Sequence, residues 1–579
     1  VAQSYGVVVS ILGKETTNYL IHNIRASFIA GLATGMNKKI CILQYGDSPI
    51  PLDFRDFVNI YYNIDEINIH LASFAEEVVE ALQTSTIETD ENNYSYLQKL
   101  DLGASAAENE MRTLESYYLK TDAYLRSRRG ENQLVVGRKG SGKSALFLQI
   151  RDKERSSSKN VVLDLKPEGY KLIKFKEVIH DYLEEGTYEH TISAFWEYLL
   201  LLEICYKILE KDKKLHMANP DLYEPYLRLE ELYKNEKYTS EGDFSERLSF
   251  LMQRFTTNFS EKYGENSKNR LKTHELTDLL YKNDINILRE NLAQYLIHKE
   301  KVWLLFDNID KGWPSTGLKN DDLTIIRNLI DASRKIQRQF LRSRIEVFPI
   351  IFLRNDVYEL LVKGTSDRQK ESKVLLDWMD ADLLRELVKL RILASIDTDE
   401  DTSFDNLWRK ICIPHIDGEE TSQYLIERSL YRPRFLINLI NQCKSYAINL
   451  NHKRIEKEDI KKGLSFFSTD ILTDISYELQ DIRPETENIL YNFIACKSEI
   501  SSKTLLKIVS DFDSGNTQEI IDLLLWYGFL GIKINQGETK YIYHFNYNMQ
   551  ILSGFINRKN SDIVYCINPA FWPSLMVEM

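Results

Sequence analysis

The chain has 579 residues, room for roughly three to five domains at about 100–200 residues each. Hydrophobic residues make up 43% and charged residues 28%, the make-up of a soluble globular protein. Lys+Arg 74 against Asp+Glu 86 leaves a net charge of −12, which argues against general coating of a polyanion but leaves room for one basic face. The longest apolar run, "YLLLLEICYKIL", is broken by Glu203, so no membrane span is expected. Cys41, Cys205, Cys412, Cys443, Cys496 and Cys566 lack metal-ligand or redox spacing and read as reduced thiols of a cytoplasmic protein. The first residues carry no Met and no signal-like pattern, so a missing N-terminal piece is expected.

Residues 1–83 alternate strand-like runs ("GVVVSIL", "KKICILQY", "FVNIYYN") with helical ones ("IRASFIAGLATGM", "INIHLASFAEEVVEALQ"), which predicts a Rossmann-like α/β layer. Residues 84–103 are polar without an apolar period and read as a linker. A helical pattern is expected from about Ala104 to Arg128. "LVVGRKGSGKS" follows, then a strand in "NVVLDLKP" and a helical insertion over about 174–300. "KVWLLFDNID" and "EVFPIIFLRND" are continuous apolar runs, as central parallel strands are. Helices return over 374–465 as a lid. Residues 466–579 read as winged-helix-like: three helices and a two-stranded wing. The expected fold is therefore α/β: a P-loop NTPase core over 104–373 with a helical insertion, a helical lid, and flanking Rossmann-like and winged-helix-like domains.

Gly137-Arg138-Lys139-Gly140-Ser141-Gly142-Lys143-Ser144 fits G-x-x-x-x-G-K-[ST] between a strand and a helix. Glycines let successive backbone N–H groups turn toward phosphates. Gly137, Gly140, Ser141, Gly142, Lys143, Ser144 and Ala145 are the expected nucleotide contacts. Lys143 reaches the β- and γ-phosphates, and Ser144 ligates Mg²⁺. The acid that completes such a site ends an apolar strand, which selects Asp307 for the metal. Asp310 is expected to orient the attacking water, because the slot directly after Asp307 holds Asn308 rather than a glutamate. Arg354 and Asn355 end the next strand, where a γ-phosphate sensor belongs. Arg434, beside Pro433 and Arg432 at a helix start, is the candidate to reach the phosphates from the lid or in trans. The expected ligands are ATP and Mg²⁺.

These segments resemble the P-loop ATPases of the AAA+/STAND class, and among them the bacterial Sll1717-type family. The resemblance runs over about 104–579 through "GRKGSGKSAL", "LLFDNIDKGW", "IIFLRNDVYELL", "LLDWMDADLLRELVKLRI", "RSLYRPRFLINLI" and "YCINPAFWPSL". It implies an ATPase that works as a nucleotide-controlled sensor, oligomerises with copies of itself, and acts in defence against phage with an effector protein or a phage-derived trigger. The segment "HNIRASFIAGLATGMNKKICILQYGDSPIPLDFRD" resembles SLOG/TIR-like and nucleoside-deoxyribosyltransferase-like domains. The transferase relatives' catalytic glutamate position is Ile29 here, ahead of Gly31 and Ala33, and Asn23 and Arg25 remain as nucleotide contacts. Two other readings stay open: a nucleotide-loaded scaffold that turns over little, for which Asn308 speaks, and a DNA-binding initiator-like ATPase. Against the second, basic residues are few in the terminal domain, with Lys503 and Lys507 near its second helix, and "TQEIIDLLLWYG" carries Glu519 and Asp522 with no Lys or Arg.

Overall fold

The computed structural model describes residues 1, 4, 6–36, 38–46, 58–89, 96–167, 188–235, 243–264, 285–309, 320–363, 372–396, 402–513, 515–535, 538–558 and 563–578. The chain divides into two compact units, Val1–Gln98 and Lys99–Met579.

In the first unit β1 (Gly6–Ile11), β2 (Lys39–Tyr45) and β3 (Val58–Tyr61) form a parallel sheet in that order. The helix Tyr19–Gly35 turns Ala26, Ala30 and Ala33 inward, and two of these small side chains pack with Val9, Ile11 and Ile42 of the sheet. The strand–helix–strand–strand–helix order is the one the sequence predicts. The second helix, Ile64–Thr89, runs past residue 83 into the stretch expected to be linker. Once nucleated, a helix adds one backbone hydrogen bond per residue and needs no apolar face to continue.

The second unit is built on a five-stranded parallel sheet. Its strands are β4 (Leu134–Gly137), β5 (Asn160–Leu165), β6 (Lys301–Phe306), β7 (Glu346–Arg354) and β8 (Lys373–Leu375), in the order β5-β6-β7-β4-β8. Side chains alternate between two cores, as the period of a strand demands. Leu134, Val136, Val302, Leu304 and Phe306 face one side, and Val135, Trp303, Leu305, Ile350 and Phe352 face the other. The first side is covered by the helices Tyr188–Lys211 and Asn320–Arg342, so the inserted helices are a layer of this core and not a separate body. The helix Lys143–Arg155 covers the second side through Leu146, Phe147 and Ile150.

The single helical stretch expected over 104–128 is broken into three pieces: a 3-10 turn Ala107–Asn109 and helices Leu114–Tyr117 and Asp122–Arg128. Glu110 is drawn to Arg391 while Leu114, Tyr117 and Tyr124 enter the second core, and one straight helix does not serve both.

Helices Ala381–Ser395, Phe404–Ile411, Thr421–Arg428 and Pro433–Asn449 follow, with a small hairpin of β9 (His415–Ile416) and β10 (Glu419–Glu420). The next helix, Lys457–Ile482, crosses the domain boundary expected at 465. Its capping box of Glu456 and Asp459 starts it, and its buried stripe (Ile460, Leu464, Phe467, Ile471, Ile475, Leu479) keeps helical period throughout. The terminal part departs from a three-helix, two-stranded-wing pattern. "TENILYNFIAC" holds no α-helix: a 3-10 turn at Pro484–Thr486 leads into it and a second, Ile489–Phe493, lies within it, because Asn488 and Ala495 take left-handed backbone and turn the chain twice. The sheet here has four antiparallel strands, β11 (Glu499–Ser501), β12 (Leu530–Asn535), β13 (Glu538–Lys540) and β14 (Val564–Ile567), ordered β11-β14-β12-β13. Helices Ser502–Phe512 and Thr517–Trp526 lie between β11 and β12 in the chain.

Gly463 lets the helices Pro433–Asn449 and Lys457–Ile482 close on each other. A Cβ there would stand 2.6 Å from Cys443 Sγ and 2.7 Å from its backbone nitrogen. Gly463→Ala is therefore expected to destabilise the second unit by about 1–3 kcal/mol, read as a lowered thermal unfolding transition. An unchanged transition would show that the helices part without cost.

Candidate functional site

The turn after β4 is shaped by its glycines. A Cβ on Gly137 would stand 2.5 Å from Ser141 Oγ and 2.6 Å from the Leu376 carbonyl oxygen. Gly140 (φ +79°) and Gly142 (φ +92°) take left-handed backbone, and Gly142 caps the helix Lys143–Arg155. The loop therefore curls around its own N–H groups at a helix N-terminus, where anions are favoured. Lys143 Nζ donates to the carbonyls of Gly137 (2.8 Å) and Arg138 (3.0 Å), across the mouth of the loop. Ser141 Oγ is buried without a hydrogen-bond partner.

Parallel register brings the rest of the site to the same end of the sheet. Phe306 ends β6, and the next residue, Asp307, accepts a hydrogen bond from Ser144 Oγ at 3.1 Å. Asp307 is buried, and Lys166, just past β5, lies 3.6 Å from it. Asn308 has φ 61°, a left-handed conformation that asparagine tolerates and glutamate does not favour. Asp310 lies outside the described residues. β7 sits between β4 and β6 and pairs Arg354 with Gly137, which sets Arg354 level with the loop. Its guanidinium binds Asp356 (3.1 and 2.5 Å) and Asp481 (2.5 Å). Burial by itself would raise the Asp356 pKa. The Arg354 charge and hydrogen bonds from Arg354, the Tyr527 hydroxyl and the Val357 N–H outweigh burial and hold the carboxyl below its ordinary range. Asn355 begins the helix Asn355–Lys363 and is buried.

Arg434 stands at the start of the helix Pro433–Asn449. Its N–H donates to the Gly140 carbonyl (3.3 Å), and its Cβ would be 3.2 Å from a Cβ on Gly140. Arg432 is buried beneath the loop: its Nη1 donates to Glu478 at 2.7 Å and to the Lys139 carbonyl at 3.4 Å. The loop, Asp307, Asn308, Arg354 and Arg434 line a cavity of about 400 Å³, within the size range of small-molecule sites. The lining of this cavity includes polar groups of Lys143, Ser144, Asp307, Asn308, Arg354 and Arg434 and apolar or aromatic side chains of Leu114, Tyr117, Tyr118, Leu387 and Ile437. The expected contacts Gly140, Ser141, Gly142 and Ala145 also line it, while Gly137 lies behind the loop at the strand end.

Several groups at the site escaped sequence reasoning. Lys166 has a signal, since it directly follows a parallel strand, where ligand groups gather. Trp378 Nε1 donates to the Ser141 carbonyl at 2.7 Å. Glu110 and Arg391 form a buried two-bond pair (2.7 and 2.9 Å), with the guanidinium 4.6 Å above the Tyr117 ring. Arg138, a variable position of the motif, is buried and binds Asp377 at 2.6 Å, the carbonyls of Leu430 (2.8 Å) and Tyr431 (3.0 Å), and the Tyr547 hydroxyl. No local sequence signal marks these long-range partners.

The oxygen donors of Ser144 and Asp307 suit a hard divalent cation such as Mg²⁺, and the orphaned Ser141 hydroxyl and curled loop suit phosphate. Among the described residues no group of three or more His, Cys, Asp or Glu could hold a metal by itself. None of the described helices is long and apolar enough to cross a membrane, and all six cysteines are free thiols. In the first unit Asn23 exchanges two 2.9 Å hydrogen bonds with the Leu12 backbone, so its amide ties helix to strand; Arg25 is exposed.

Residues 382–476 match the model of the FunZ-associated C-terminal helical domain, which covers the helices from Ala381–Ser395 into Lys457–Ile482. The chain is 25% identical over 458 residues to the putative transposon gamma-delta 80.3 kDa protein of Escherichia coli K12; the match spans 74% of this chain and 61% of that protein. It is 26% identical over 160 residues to allergen Alt a 2 of Alternaria alternata, covering 27% of this chain and 83% of the allergen. A solved structure of Cdc6p from Pyrobaculum aerophilum aligns over 81% of this chain and 92% of its own at 12% identity, with a TM-score of 0.25, too low to bear on the fold. The P-loop architecture rests on the strand order, the loop and the Ser144–Asp307 pair.

Arg138→Ala strands the buried carboxylate of Asp377. The expected cost is about 3–5 kcal/mol, the penalty for an uncompensated buried charge, measured as the shift of the second unit's denaturant midpoint. A loss below about 1 kcal/mol would mean that water or another cation replaces the guanidinium.

Proposed function

We propose that this chain is a Mg²⁺-dependent ATPase whose nucleotide state is passed to its helical lid and C-terminal region. The observation that carries the reading is the Ser144–Asp307 hydrogen bond beside Lys143 in a cavity of about 400 Å³. Loop N–H groups and Lys143 bind the β- and γ-phosphates, and Ser144 and Asp307 hold the cation, which neutralises phosphate charge. Arg354 and Arg434 read the terminal phosphate from the sheet and from the lid. Asp310 is the proposed group for the attacking water. The aromatic side chains of Tyr117 and Tyr118 receive the base. Phosphoryl transfer of this kind needs positioning and charge stabilisation more than covalent chemistry.

Asn308 favours slow turnover. Its backbone is left-handed, so a glutamate in the slot after Asp307 would sit in a strained conformation. A nucleotide-loaded switch with little hydrolysis therefore stays as the second reading. A DNA-binding role is not favoured: the helix Thr517–Trp526 presents Glu519, paired with Arg483, and Asp522. The homo-oligomer, the effector or phage-derived trigger, the defence role and the cytoplasmic location rest on the resemblance to Sll1717-type ATPases.

Lys143→Ala is expected to weaken ATP binding at least about tenfold and to reduce phosphate release to background. If wild type binds ATP but releases phosphate no faster than Lys143→Ala, the switch reading replaces the ATPase. Asn308→Glu is expected not to raise turnover; an increase would show that the loop relaxes to accept a glutamate.

A further inference from the structure

Three acids of the helix Lys457–Ile482 share one face at i, i+4 and i+7: Asp474, Glu478 and Asp481. Each meets a cation of the nucleotide site: Lys139 at 4.0 Å, Arg432 at 2.7 Å and Arg354 at 2.5 Å. Glu478 and Arg432 are both buried and close off from solvent. Asp481 is different. Its side chain is 45% exposed, and it lines the cavity together with Arg354, Arg434 and Lys143.

Arg354 has its Nε and Nη2 on Asp356, which is buried and also held by Tyr527. Asp356 neutralises the guanidinium, and Asp481 on Nη1 adds a surplus negative charge at the edge of the cavity. A carboxylate in the last turn of a helix is disfavoured by the helix dipole, so Asp481 depends on Arg354 for its place. Carboxylate and phosphate oxygens accept the same charge-assisted bond from a guanidinium. Arg354 stands at the level of Gly137 and lines the same cavity as Lys143 and Ser144.

We propose that Asp481 is a built-in competitor for the terminal phosphate: it occupies Arg354 Nη1 in the nucleotide-free chain and is displaced by a nucleoside triphosphate but not by a diphosphate. Displacement unties the end of the helix Lys457–Ile482 from the sheet. The chain thereby reports the third phosphate to the C-terminal region. The inference rests on the reading of this cavity as a nucleotide site.

The test is equilibrium binding of Mg²⁺ with a non-hydrolysable ATP analogue, and of Mg²⁺ with ADP, to the full chain. Asp481→Asn is expected to bind the analogue about tenfold more tightly while ADP changes by less than about twofold. Asp470→Asn, an exposed acid on the same helix, controls for net charge and should shift neither. In an Arg354→Gln background Asp481→Asn should lose its effect. Thermal unfolding of each variant, with Asp481→Ala as a second substitution, verifies that the fold is kept. Equal tightening of both nucleotides, or no tightening of the analogue by either substitution, overturns the proposal while leaving the site a nucleotide site. Absence of binding of both nucleotides to wild type overturns the nucleotide reading and the competitor with it.

Discussion

The guanidinium of Arg138 joins the loop after β4 to three later segments of the second unit, at Asp377, at Leu430 and Tyr431, and at Tyr547. It is buried at 3% exposure and binds the Asp377 carboxylate, two successive carbonyls at Leu430 and Tyr431, and the Tyr547 hydroxyl. Leu430 and Tyr431 both take left-handed backbone (φ 54°), at a cost of about 1–2 kcal/mol each for residues with a side chain. That strain turns both carbonyls toward one cation, and it persists because the cation holds them. A lysine has one donor centre and cannot serve the carboxylate and both carbonyls at once; the flat fork of arginine can. The ring of Tyr547 lies 4.5 Å from the same guanidinium, so a residue of the terminal region closes the network.

The same device recurs around the cavity. Arg391 pins the segment before β4 to the helix Ala381–Ser395 through Glu110. Arg432 pins the start of the helix Pro433–Asn449 to the helix Lys457–Ile482 through Glu478. Arg354 joins the sheet to Asp356 and Asp481, and through Asp356 to Tyr527. Breaking one partner of such a pair costs far more than the pair contributes over an apolar replacement. Buried arginines of this kind set arrangement more than they add stability. They tie the loop, the last strand residue and the helices Ala381–Ser395 and Lys457–Ile482 to one another around the cavity.

Much of this site is legible in the sequence because its parts are local. Gly137 to Ser144 lie between an apolar strand and a helix, and the motif dictates the curl. Asp307 follows five buried apolar residues, and register alone carries it to Ser144. Arg354 is found by the same rule at the end of the neighbouring strand. What the sequence hides is of two kinds. The broken helix over 104–128 and the 3-10 turns near Ile489 have helical spacing, but their side chains answer to partners hundreds of residues away or to reversals of the chain. The partners themselves, Glu110 with Arg391, Trp378 with Ser141 and Asp481 with Arg354, carry no spacing that a linear reading detects.

The sequence by itself determined the loop, its lysine and serine, the strand-ending acid and arginine, and the continuous apolar runs that bury the sheet on both faces. Each follows from apolar runs of strand length, from the helical period of about 3.6 residues and from the backbone freedom of glycine, which act over a few neighbours. The tertiary structure alone decided that inserted helices complete the central core, that a 26-residue helix runs across the boundary expected at 465, and which acid neutralises which arginine. Those outcomes depend on charges and side chains brought together through space, where burial makes pairing obligatory and chain distance is irrelevant.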